Sequence, residues 1–132
     1  MPSSLALLYV AIGGAIGAVL RVTLVAFLTN STGSPTASLP FGTLVVNVLG
    51  SLVIGIAIVI FQNKLPDHNI LRMALVGGVL GSFTTFSAFS LETLNLFNQG
   101  SSIAAMLNIF SNITLCLLAT AAGLWLGKTI LN

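Results

Sequence analysis

Apolar residues in this chain do not alternate with polar ones; they run in long blocks separated by short polar clusters. Four such blocks can be marked out, at about residues 5–28, 41–62, 70–98 and 102–128, and a helix that crosses a bilayer needs roughly 20 predominantly apolar residues. The pattern therefore predicts an all-α membrane protein of four transmembrane helices, forming one domain over residues 1–132. The separators are turn formers. The first loop is expected at Asn30-Ser31-Thr32-Gly33-Ser34-Pro35, the second from Gln62 to Asn69, and the third near Asn98 to Ser102, with Pro40 opening the second span.

Composition points the same way. A chain of 132 residues that is 56% hydrophobic and 5% charged, with a mean hydropathy of +1.11, lacks the polar residues to clothe a soluble globule. The first block has no basic leader and its apolar character runs past any short signal core, so it reads as a retained span. With so little chain outside the blocks, any activity must come from side chains, helix ends or irregular backbone within the bilayer. Four basic and two acidic residues are too few for dense phosphate contacts, which excludes a nucleic-acid partner. Cys116 has no second cysteine to pair with in the chain.

Even-numbered spans put both termini on one face. That face carries Lys64, Arg72 and Lys128, and the other claims Arg21, so the bias favours cytoplasmic termini by the positive-inside rule. The bias is small, and insertion in both orientations stays open. Trp125 and Lys128 suit the interface at the end of the last span.

Small residues at helical spacing, Gly13 with Gly17 and Gly77 with Gly81, let helix backbones approach closely. A four-helix subunit is too thin to shield a polar pathway, so a dimer is expected. Two polar stripes run through the spans at four-residue steps: Thr43, Asn47 and Ser51 in the second, Asn108, Asn112 and Cys116 in the fourth. Interhelical hydrogen bonding and a role in a pathway are both open for each of them.

The third span carries the densest signal. From Gly77 to Ser90 it crowds glycine, hydroxyl and aromatic residues into poor continuous-helix sequence, and the expected break lies near Gly81 to Thr85. Backbone freed by a break inside a membrane is tolerated where it is buried or lines a water or ion site. Freed carbonyls suit a cation, and Phe86 and Phe89, three residues apart, could offer positive ring edges to a small anion. Arg21 and Glu92 are the charged residues that fall within spans. Such groups are functional candidates by default, although Arg21 can also snorkel and Glu92 can serve as a structural hydrogen-bonding group.

Three stretches together resemble the Fluc, or CrcB, family of fluoride channels along nearly the whole chain. They are Gly13-Gly14-Ala15-Ile16-Gly17-Ala18-Val19-Leu20-Arg21, the run from Phe41 to Ser51, and the run from Gly81 to Thr93. The resemblance implies passive fluoride export through an antiparallel, dual-topology dimer in the inner (plasma) membrane, the third helix broken mid-membrane, with two pores lined by both subunits. It implies a structural sodium ion at the dimer centre, held by the backbone carbonyls of Gly81 and Thr84 from each subunit. In the fluoride pathway, Phe86 and Phe89 would present ring edges, Asn47 its amide, Thr43, Thr85 and Ser87 hydroxyls, with Arg21 near a vestibule. Asn112 would stand in the fourth-helix wall, where this chain departs from the family pattern of a tyrosine followed by serine or another small polar residue at four-residue steps. A homodimer is preferred and a heterodimer remains open. The rival readings are a proton-coupled multidrug-type exporter, which needs a carboxylate deep in its chamber, and a structural membrane subunit. No nucleophile–base–acid set points to an enzyme.

Overall fold

A computed structural model describes residues 2–32 and 39–131. Its elements are α1 (Ser4–Thr32), α2 (Phe41–Asn63), α3 (Asn69–Arg72), a π-helical stretch (Met73–Leu80), α4 (Gly81–Phe83), α5 (Phe86–Asn98) and α6 (Ser102–Leu131), and no strand occurs among the described residues. Four helical runs are long and apolar enough to cross a membrane: Ser4–Asn30, Phe41–Asn63, Asn69–Asn98 and Ser102–Leu131. The expected first loop begins later than its turn-forming residues suggest, since Asn30 to Thr32 still belong to α1. Gly33, Ser34 and Pro35 lie outside the described residues.

Local chemistry accounts for the ends. Pro40, with φ −73°, precedes α2 and has no N–H to leave unsatisfied. α5 ends at Asn98, two residues before Gly100, whose φ of +76° is open to glycine at little steric cost. There the chain turns back so that the Ser101 N–H bonds the Leu96 carbonyl at 2.9 Å, occupying an acceptor the helix end would otherwise orphan.

α2 packs chiefly on α6, and α1 on the π-helical stretch. Both contacts are backbone to backbone. A Cβ on Gly55 would stand 2.5 Å from the Thr120 carbonyl oxygen, and one on Gly13 would stand 2.5 Å from that of Ala74. The expected pairing of Gly77 with Gly81 is not the one the fold uses. A Cβ on Gly77 would touch nothing, whereas one on Gly78 would lie 2.7 Å from the Val10 carbonyl oxygen. The cause is the wider turn: the Gly81 N–H reaches back five residues to Val76, which shifts the register by which small residues face α1.

The interior mixes apolar side chains such as Val46, Val59 and Leu96 with polar ones. Asn108 is 0% exposed, and Thr43, Asn47, Thr85, Thr93 and Asn112 are buried with it, while Leu, Ile, Val and Phe side chains cover the outside. Lipid solvates the outer side chains, and the polar ones find their partners in one another.

Candidate functional site

The third span is helical up to Phe83 and again from Phe86, but Thr84 (φ −81°, ψ 157°) and Thr85 (φ −152°, ψ 114°) are extended. Both threonines stabilise this departure with their own hydroxyls. Thr84 Oγ1 donates to the Leu80 carbonyl at 3.1 Å, and Thr85 caps α5 by accepting from the Ala88 N–H at 3.2 Å. A continuous helix would instead join the Thr85 N–H to the Gly81 carbonyl and the Ala88 N–H to the Thr84 carbonyl. Both donors are diverted, the first to Asn47 Oδ1 at 2.8 Å. The carbonyls of Gly81 and Thr84 have therefore lost their regular helical partners, and so have the N–H groups of Phe86 and Ser87 at the start of α5.

Asn47 spans the interruption from α2. Its Oδ1 accepts from the Thr85 N–H, while its Nδ2 donates to the Thr85 carbonyl at 3.2 Å and to Asn112 Oδ1 at 3.0 Å. One side chain thus satisfies both backbone groups of Thr85, and both of its N–H bonds are already engaged by protein acceptors.

Two cavities meet at Thr85. One, of about 340 Å³, is lined by Asn47, Thr85, Phe86, Phe89, Asn112 and Cys116 among others. The second, of about 560 Å³, is lined by Arg21, Thr43, Thr85, Ser87 and Glu92 among others. All eight side chains expected along a pathway border one or the other. In the first cavity the Phe86 and Phe89 rings lie 5.3 Å apart, tilted by 59°, with Phe89 7% and Phe86 78% exposed. Neither a parallel stack nor a perpendicular pair, this tilted arrangement leaves most of the Phe86 ring uncovered. In the second, Thr85 Oγ1 and Ser87 Oγ sit 3.2 Å apart.

Glu92 takes the hydrogen-bonding role its sequence position left open. Thr43 Oγ1 donates to Glu92 Oε1 at 2.7 Å, tying α2 to α5, and Glu92 Oε2 is buried without a partner among the described residues. This pairing was invisible in the sequence, where the two residues are 49 apart. Asn108 Nδ2 also donates to Thr93 Oγ1 at 2.9 Å, a pair the sequence does not signal. Asn108 stood out as a mid-span amide, but a single threonine in a helix sends no comparable signal.

No group of three or more His, Cys, Asp or Glu side chains that could hold a metal occurs among the described residues. The carbonyls released at the interruption are hard oxygen donors of the kind that suit a hard ion.

Residues 8–124 match the family described as "CrcB-like protein, Camphor Resistance (CrcB)". The chain is 45% identical over 122 residues to a protein of Magnetococcus marinus named "Fluoride-specific ion channel FluC", covering 92% of this chain and 97% of the relative. Proteins of the same name from Hahella chejuensis (43% over 125 residues; 95% and 96% covered) and Ruminiclostridium cellulolyticum (41% over 118 residues; 89% and 88% covered) are similar to it as well. With its four membrane-crossing helices and a family match over nearly its whole length, this chain is a multi-pass membrane protein that belongs to the CrcB family.

Proposed function

We propose that the chain is the subunit of a fluoride-selective channel that releases fluoride passively from the cell across the inner membrane, as the names of its relatives suggest. The observation that carries this reading is the meeting of the two cavities at Thr85, where hydroxyls, unpaired helix-start N–H groups and a phenyl edge converge. A small anion that sheds water needs short donors from several sides. The α5 N-terminus adds a favourable dipole to the Phe86 and Ser87 N–H groups. Arg21 draws anions into the wider cavity, and Thr85 and Ser87 hand them toward Phe86 and Phe89, whereas Thr43, whose hydroxyl proton is committed to Glu92, serves an ion only by exchanging that bond. Asn47 and Asn112 form the opposite wall. Because both Asn47 N–H bonds are engaged, its amide serves an ion only by exchanging one of them.

The extended pair Thr84–Thr85 lies mid-membrane in this reading, and two subunits insert in opposite orientations to close the open side of each pathway. A homodimer is the simplest such assembly. The carbonyls of Gly81 and Thr84 from both subunits would hold a sodium ion at the centre. When bound, that ion offsets carbonyl dipoles the helix no longer pairs. The freed state of these two carbonyls fits the assignment.

Liposomes containing this chain alone will release fluoride and retain chloride with no proton gradient imposed. A strict requirement for a proton gradient would reject the channel in favour of a coupled exporter. Phe86→Ile keeps apolar bulk and removes the ring edge, and since aromatic edge contacts are worth about 0.5–1.5 kcal/mol, fluoride release should fall roughly 2- to 13-fold. Wild-type release from that variant removes Phe86 from the pathway.

A further inference from the structure

Behind the Phe86–Phe89 pair runs an unbroken line of hydrogen bonds in which every donor points the same way. Asn47 Nδ2 donates to Asn112 Oδ1 at 3.0 Å, and Asn112 Nδ2 donates to Asn108 Oδ1 at 3.0 Å. Asn108 Nδ2 then donates to Thr93 Oγ1 at 2.9 Å, and Thr93 Oγ1 donates to the Phe89 carbonyl at 2.7 Å. The backbone at the two ends dictates the direction. The Thr85 N–H requires the oxygen of Asn47, which turns the amide nitrogen toward Asn112, and the Phe89 carbonyl can only accept. Flipping any one amide would set donor against donor or acceptor against acceptor. Bonds aligned in this way polarise one another.

We infer that Asn108, Asn112 and Thr93 are positioning residues, whose ladder ties the interruption at Thr85 to the Phe89 carbonyl and so sets the phenyl pair against Asn47. The inference rests on the channel reading above. The ladder crosses three helices, α2, α6 and α5, and it braces both ends of the segment that carries the rings. Asn108 and Thr93 are buried and border neither cavity, so neither can touch a passing ion. Whatever they contribute to conduction passes through the ladder. The ladder also decides how many donors Asn47 presents, because Asn112 holds one of its two N–H bonds. A loosened ladder lets the ring pair shift, which weakens fluoride passage and admits larger anions.

The test compares Thr93→Val, which keeps shape and loses the hydroxyl, with Thr93→Ser, which keeps the hydroxyl. Thr93→Val is expected to lower fluoride release about 10-fold, the size of one net hydrogen bond, and to lower the fluoride-to-chloride ratio. Thr93→Ser is expected to keep both near wild type. Asn108→Leu is the second variant, because it cuts the ladder while Thr93 still donates to Phe89 and Asn112 still donates to the Asn108 carbonyl at 3.1 Å. It should show the same twofold signature of slower fluoride and poorer discrimination. Equal damage from Thr93→Ser and Thr93→Val overturns the ladder in favour of packing, as do unchanged rate and ratio in Thr93→Val and Asn108→Leu. A wild-type chain that carries no fluoride overturns the channel reading itself, and is told apart by that control.

Discussion

Asn47→Ala will reduce passive fluoride release by about 100-fold, while the protein still elutes from a sizing column as the same assembly. The substitution strips the Thr85 N–H of its acceptor, while the Thr85 carbonyl, as the cap of α5, keeps the first helical N–H as its partner. Each unsatisfied buried polar group costs about 1–3 kcal/mol, and about 2.7 kcal/mol corresponds to a factor of about 100. The simplest relief is for the Thr85 N–H to return to the Gly81 carbonyl and for the span to close into a regular helix. That would turn the ring pair out of place and recapture a carbonyl assigned to sodium. The effect should therefore exceed that of Phe86→Ile, which alters one ring and leaves the backbone alone. Wild-type release from Asn47→Ala would mean that the interruption does not form the passage.

Gly123→Val is expected to prevent recovery of a folded, monodisperse protein from detergent. A Cβ at Gly123 would run into the Leu52 carbonyl oxygen, and 3.1 Å away lies the Gly55 Cα, so α2 and α6 would have to separate. Overpacking a side chain into a fitted interior typically costs about 1–3 kcal/mol, and here the obstacle is backbone, which cannot swing aside. Separation of these helices also pulls Asn47 from Asn112 and so disturbs the site. Gly77→Ala is the control: its Cβ would meet nothing, and the exchange favours helix by roughly 1 kcal/mol. A melting temperature for Gly123→Val no lower than that for Gly77→Ala would show that the close approach is not needed.

Residue type alone singles out the positions that border the two cavities. Gly81, Thr84 and Thr85 make poor helix, and extended backbone does occur at Thr84 and Thr85. The residues proposed for a pathway were named because they are polar or aromatic within apolar blocks, and they do gather around two adjoining cavities. Three features were hidden. The bond from Thr43 to Glu92 joins residues 49 apart, Asn47 meets Asn112 across 65, and no periodicity links such positions. The π-helical stretch also resisted reading, since a wider turn has no composition of its own and moved the contact from Gly77 to Gly78.

By itself, the sequence determined that four apolar helices form, because the length of an apolar block and the turn formers between blocks are local properties. It also determined which side chains had to be explained, since an amide or hydroxyl in an apolar span must find a partner. Only the tertiary structure decided which partner each one found. The pairing of Asn47 with both backbone groups of Thr85 depends on how closely α2 approaches the interruption at Gly50, where a Cβ would run into the Thr84 side chain. The onward bond from Asn47 to Asn112 depends on how far α2 and α6 approach at Gly55 and Gly123. Those distances are set by packing between segments remote in sequence.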